Sequence, residues 1–344
     1  MMSICLGYDN LNQNDGAGAQ VQRVLGIYSL SRKFNLGFTY VPILDIDPNP
    51  GDGMTSDAER KKLVSNLNSL LLKNIGTCNH DHKIVKMRGT RFFKSKFILS
   101  SYLRSISTVE VIKKRNILLV IDNPGYILQA NPSFYSLCKQ LDFHERISIV
   151  NTPIQIHAHI RRGLVSSSQL NERFVSTDWY SNILRYITRE LSLHNIDFSL
   201  FVHTDAKKES SSWAISDELS SGSLEMYQER GLINNNRAIE LVGEDIESNL
   251  NLDYPITLVT DINPLEAWEM MNRADILLIG KSSFSFCAAL MNGSSIVIAP
   301  INSKNSQLSM PLLPEWLGEG TPEEIALQCI TELRKKEPNL FTSK

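Results

Sequence analysis

Arg161 and Arg162 stand side by side at the end of a β-branched approach made of Ile147, Ile149, Val150, Ile154 and Ile156, broken by Pro153. That pattern predicts a strand entering the interior and delivering two guanidiniums and Gly163 at its carboxyl edge, just after His157 and His159. Two arginines in such a place either close structural ion pairs or hold an anion. A diphosphate suits their fixed forks of N–H donors. In open α/β sheets the crevice beyond the carboxyl ends of the strands is where ligands sit.

Other stretches carry compatible chemistry. The apolar run Ala274–Ile279 opens into Gly280, Lys281, Ser282, Ser283, Phe284 and Ser285 before a further helical segment. A serine-rich turn at a helix N-terminus is a phosphate cradle in which hydroxyls and backbone amides converge. Near the amino end, Gly16, Ala17, Gly18, Ala19 and Gln20 lead into Val21, Val24, Leu25 and Tyr28, which keep helical spacing. This small-residue approach matches neither the dinucleotide fingerprint nor a P-loop, and a tight turn without a ligand is the commoner explanation. His203, Thr204 and Asp205 close the strand 198–202 with polar groups. Cys78, His80 and His82 alternate without a C-x-x-C framework, so they read as a polar loop rather than a zinc site.

The elements that must position these groups alternate along the chain. Strands are expected at 3–8, 38–43, 116–121, 147–156, 198–202, 239–242, 257–259, 274–279 and 295–299. Helices are expected at about 56–73, 97–104, 132–141, from 176 onward, 265–271 and 286–291, with irregular chain at 74–96 and a surface loop at 207–222. Thr321, Pro322 and Glu324 give an N-cap, a proline at the first helical position and an acid at the third for a last helix. Such alternation predicts an α/β protein of two Rossmann-like, doubly wound domains facing across a cleft. The divisions expected are 1–146, 147–320 and a C-terminal helix and tail, 321–344.

At 344 residues the chain has room for two such cores, and its net charge of −2 argues against nucleic acid as a partner. Lys83, Lys86, Arg88, Arg91, Lys94, Lys96 and Arg104 form a solvated face or a weak contact with acidic lipid or glycan. Five dispersed cysteines read as reduced core residues of a cytosolic protein. No apolar run is long enough to span a membrane, and the amino end has no secretory pattern. The expected location is cytoplasmic, with room for peripheral contact at the inner face of a membrane.

Three segments, in order, resemble the superfamily of α1,2-fucosyltransferases and core and peptide O-fucosyltransferases. Gly16-Ala-Gly18-Ala-Gln20 is similar to its glycine-rich loop, His159-Ile-Arg161-Arg162-Gly163 resembles its H-x-R-R-G-D motif, and Ser282-Ser283-Phe284-Ser285 resembles its later S-S-F-S. The resemblance implies a GT-B glycosyltransferase, inverting and metal-independent, needing no cofactor and using GDP-fucose as donor. It implies that His159 contacts the guanine region, that Arg161 and Arg162 hold the diphosphate and that Ser282, Ser283 and Ser285 complete the phosphate site. Asp205 matches an acidic strand-end position, and Glu266 lies one place from a guanine-binding acid. The acceptor would be a glycan or a lipid-linked oligosaccharide.

An inverting displacement also wants a base beside the acceptor hydroxyl. Glu172 is the first candidate, with Asp15 and His157 behind it. Leu164 stands where the motif has aspartate, and Ala19 where it has asparagine. Two other readings follow: a GT-B transferase of another nucleotide sugar, or a non-catalytic nucleotide- or glycan-binding protein.

Overall fold

The computed structural model describes residues 4–8, 16–46, 57–75, 83–87, 96–108, 117–121, 153–165, 173–214, 228, 238–241, 243–292, 295–300 and 316–341. The expected α/β class holds. A first parallel sheet has the order β2-β1-β4-β3, from β1 (Ile4–Tyr8), β2 (Gly37–Phe38), β3 (Lys83–Met87) and β4 (Ile117–Ile121). Its helices are α1 (Ala17–Lys33), α2 (Asp57–Asn74) and α3 (Lys96–Thr108).

The second sheet, also parallel, has the order β11-β10-β5-β6-β9. Its strands are β5 (Ile154–Ile160), β6 (Phe198–Thr204), β9 (Thr257–Val259), β10 (Ile276–Leu278) and β11 (Ile296–Ile298). β7 (Ser211–Ala214) and β8 (Ala238–Leu241) form a separate antiparallel ribbon. The second unit's helices are α4 (Thr177–Leu193), α5 (Ile246–Leu250), α6 (Pro264–Met271), α7 (Ser283–Met291) and α8 (Pro322–Lys336). From β5 the chain runs outward through β6 to β9, then crosses to β10 and β11 on the other side. The order therefore reverses between β5 and β10, and a crevice opens at such a switch point.

The two faces of this sheet have different chemistry because side chains alternate along a strand. Ile154, Ile156, Ala158 and Ile160 pack with Tyr180, Ile183 and Ile187 of α4 and with Ile325, Cys329 and Leu333 of α8. The last helix thus belongs to this core and is no appendage. A capping box starts it: Thr321 Oγ1 accepts from Glu324 N at 3.2 Å, and Glu324 Oε2 accepts from Thr321 N at 2.7 Å. On the opposite face Leu277, Ile279 and Val297 meet Trp268 of α6 and Phe286 of α7. That core runs on without a break into Val21 and Leu25 of α1 and Leu6 of the first sheet.

The seam between the units is α1 against α7. A methyl at Gly18 would lie 2.6 Å from both N and Cα of Phe284, so only glycine allows this approach. Cys287 Sγ donates to the Gly18 carbonyl at 3.3 Å across the same seam.

Two expectations are corrected. The stretch 74–96 holds strand β3, and the loop expected at 207–222 holds β7. The helix expected at 132–141 and the domain boundary near 144–148 lie outside the described residues.

Candidate functional site

A cleft of about 920 Å³, measured out to its open mouth, lies over the carboxyl ends of β5 and β10. It sits at the switch point. One wall is Gly16–Ala19 at the start of α1, and the facing wall is Lys281, Ser282, Ser283 and Phe284 at the start of α7. Pro264 and Ala267 bring the first turn of α6 alongside. Three helix N-termini therefore open on one space, each with backbone N–H groups that lack helical acceptors. Asn263 caps α6 by accepting from Leu265 N at 2.9 Å, and Ser282 caps α7 by accepting from Phe284 N at 3.3 Å. Gly16 has no side chain with which to cap α1.

The charged lining is Arg161, Arg173 and Lys281 against Asp205 and Asp261. Positive charge is in excess, and the helix dipoles add to it. Lys281 has no ion-pair partner among the described residues. Asp261 takes a left-handed φ of 55° after β9, which aspartate tolerates better than most residues, and pairs with Lys207.

Arg161 and Arg162 have separate fates. Arg161 lines the cleft, and its Nη1 bonds Asp205 Oδ2. Arg162 is 2% exposed and does not reach the cleft. Its Nε bonds Glu244, its Nη1 donates to the Arg161 carbonyl at 2.8 Å and its Nη2 donates to Thr177 Oγ1 at 2.7 Å. Its Cζ lies over the Phe174 ring, 4.7 Å from the ring centre. Of the arginine pair expected to hold a diphosphate, only Arg161 faces the cleft, because Glu244 has claimed Arg162. Burial acts to raise the pKa of Glu244, but the bonds from Arg162 and Thr177 and the charge of Arg162 outweigh it, so the net shift is downward.

Behind Arg161 is a layer of histidines on the polar face of β5 and β6. His157 and His203 stack at 5.1 Å and share a hydrogen between Nδ1 and Nε2 at 2.9 Å. Both His159 and His203 line the cleft, and Nδ1 of each is buried with no hydrogen-bond partner. Burial pushes His157 and His159 down to about 3 and His203 to about 4, with Arg161 adding to the shift of His159. All three rings are neutral at ordinary pH, and His159 and His203 each keep an unbonded Nδ1 beside the cleft. Phe284 lies between His159, at 5.6 Å, and Trp268, on which it stacks at 5.1 Å. A methyl at Gly280 would come within 3.0 Å of both the His159 carbonyl and the Tyr180 hydroxyl, so this glycine lets β10 end close against β5.

The remaining sequence candidates divide. Gly16, Gly18, His159, Asp205, Ser282, Ser283 and Phe284 line the cleft. Gln20 does not: it is buried and accepts from the Tyr8 hydroxyl at 2.8 Å. Ser285 is also buried, and its hydroxyl donates to the Ser282 carbonyl at 3.4 Å. Glu266 is exposed on α6 and turned away from the cleft. Glu172 and Asp15 lie outside the described residues. Sequence reasoning missed Arg173, Lys281 and Asp261 as lining groups. Asp261 follows a strand as Asp205 does, and that was the available signal.

No family model and no curated protein sequence matches the chain. Among solved structures, a mutant of Arabidopsis thaliana FUT1 in complex with GDP is similar at a TM-score of 0.37 and 10% identity, covering 92% of this chain and 76% of that one. E. coli ADP-heptose lps heptosyltransferase II is similar at 0.35 and 9%, covering 98% of this chain and 100% of that one. At such low scores the chemistry has to come from the cleft's own side chains.

Proposed function

We propose that the cleft holds the diphosphate of a nucleotide sugar and that the chain is a GT-B glycosyltransferase. The observation that carries this reading is the meeting of Arg161, Arg173 and Lys281 with the N-termini of α1, α6 and α7 at the switch point of a parallel sheet. In the proposed reaction an acceptor hydroxyl attacks the anomeric carbon. The bond from that carbon to the phosphate oxygen breaks, and its electron pair leaves on the diphosphate. The new charge develops where fixed cations and amide dipoles already stand, which is how such a site lowers a barrier. Net of Asp205 and Asp261 the cleft lining keeps one positive charge, to which the three helix ends add; the mechanism proposed is metal-independent, as the motif resemblance implies.

The donor proposed is GDP-fucose, on the strength of the motif around His159 and Arg161, with inversion at the anomeric carbon. The acceptor proposed is a hydroxyl of a glycan or lipid-linked oligosaccharide, and Glu172 is the proposed base. Leu164, which replaces the motif's aspartate, is buried and does not line the cleft. Its substitution therefore removes no charge from the cleft wall, which favours an enzyme over a non-catalytic binder. None of the helices in the described residues is long and apolar enough to cross a membrane. Peripheral contact at a membrane's inner face stays part of the proposal for the lipid-linked case.

Thermal-shift titration with GDP, UDP, ADP and CMP tests the donor. A ligand at 100 times its Kd adds about 2.7 kcal/mol of stability. A shift with GDP alone is expected, and a shift with UDP but not GDP would reassign the donor. Release of GDP from GDP-fucose in EDTA tests turnover without metal; activity that returns only with added divalent cation would overturn that part.

A further inference from the structure

Resting on the diphosphate reading, we infer that buried Arg162 and Thr177 and half-buried Glu244 form a clamp whose task is to set Arg161 for the anion. All three arms of the Arg162 fork are spent within the protein. Each of the two oxygens of Glu244 is also engaged, Oε2 by Arg162 and Oε1 by the Thr177 hydroxyl.

Two paths lead from this clamp to Arg161. Through Nη1, Arg162 fixes the Arg161 carbonyl. Through its backbone N–H, at 2.6 Å from Asp205 Oδ1, it fixes the carboxylate whose other oxygen holds the Arg161 guanidinium. Main chain and side chain of Arg161 are thus both tied to the residue that follows it.

The clamp draws on four separate elements. Arg162 comes from the end of β5, Asp205 from the end of β6, and Thr177 is the first residue of α4. Glu244 precedes α5, and its backbone N–H is anchored on the Lys207 carbonyl at 2.8 Å. An ion pair that served stability alone would need none of the links to Arg161, and burying such a pair is seldom a net gain over apolar packing. An arginine tied both at its main-chain carbonyl and at its guanidinium keeps its angle when a charged ligand arrives, and orientation of this kind carries much of a site's power. Lysine at 162 would keep the charge and lose the fork.

The test is a double-mutant cycle read by calorimetric titration of the full chain with GDP and GMP. Glu244→Gln is expected to weaken GDP binding about tenfold and to shrink the preference for GDP over GMP, because a misaimed Arg161 loses the second phosphate. Arg162→Lys and the milder Thr177→Val act in the same direction. In an Arg161→Ala background Glu244→Gln is expected to have no further effect on GDP, since the group it aims is gone. Equal losses in both backgrounds, or a lower melting temperature with GDP affinity unchanged in all three clamp variants, would overturn the clamp. Wild-type protein that bound neither nucleotide would sink the diphosphate site, and the clamp's purpose with it.

Discussion

His157 Nδ1 and His203 Nε2 lie 2.9 Å apart on neighbouring parallel strands, one ring donating to the other, in a layer too dry to hold a charge. With His159, three imidazoles are held neutral: burial moves His157 and His159 from 6.5 down to about 3 and His203 down to about 4. The unfolded chain takes up these protons first as pH falls. The stabilisation is complete above about pH 6.5 and drains away toward pH 3–4.

Urea unfolding between pH 7 and pH 4.5 should therefore show a steep loss of stability, about 1.4 kcal/mol per pH unit for each ring involved. His157→Gln keeps a hydrogen-bonding partner for His203 and should lessen the slope by roughly one ring's share. An unchanged slope would remove the histidine layer from the explanation.

Truncating the cleft's cations should separate them from their neighbours. Arg161→Ala is expected to lower kcat/KM for GDP-fucose by about 10²–10³, and Arg173→Ala and Lys281→Ala to lower it by smaller factors. Glu266→Ala, on the outer side of α6, should leave it within experimental error. Loss of activity in the Glu266 variant would restore that residue to the site.

Gly18→Ala drives a methyl into the backbone of Phe284. The expected cost is about 1–3 kcal/mol by denaturant unfolding, since backbone does not yield as a side-chain tip does. The same change should weaken GDP binding, because α1 and α7 would be pried apart at the cleft wall that both form. A neutral result would mean that the two helices slide past each other freely.

Thr321→Ala removes half of the capping box that starts α8, at an expected cost of about 1 kcal/mol. Leu333, Cys329 and Ile325 of that helix lie in the core of the second sheet, so the loss should appear in global unfolding and not only as local fraying. Far-UV circular dichroism during urea titration distinguishes the two.

That cap was legible in the sequence because a capping box is a local contract, kept within four residues. The strands of the second sheet were legible for a related reason: parallel strands covered on both faces read as apolar runs. β5 breaks that rule with Gln155, His157 and His159, so the expected strand stopped at residue 156 while the observed one runs on to Ile160. β3 was hidden because Lys83 and Lys86 gave it the look of polar loop. The fate of Arg162 was beyond reach, since its partner Glu244 lies 82 residues away and only tertiary folding brings it near. Arg173, Lys281 and Asp261 were missed similarly: each follows a different element, and their shared space exists only once the sheet has its strand order.

Main chain resting on main chain at residue 18 leaves a joint without padding. If the lobes breathe, they should hinge there and widen at the far rim, so that amide exchange is slowest around residues 18 and 284 and a ligand slips in from the rim instead of along the joint. A single hydrogen atom in place of a side chain would thus fix where the cleft opens.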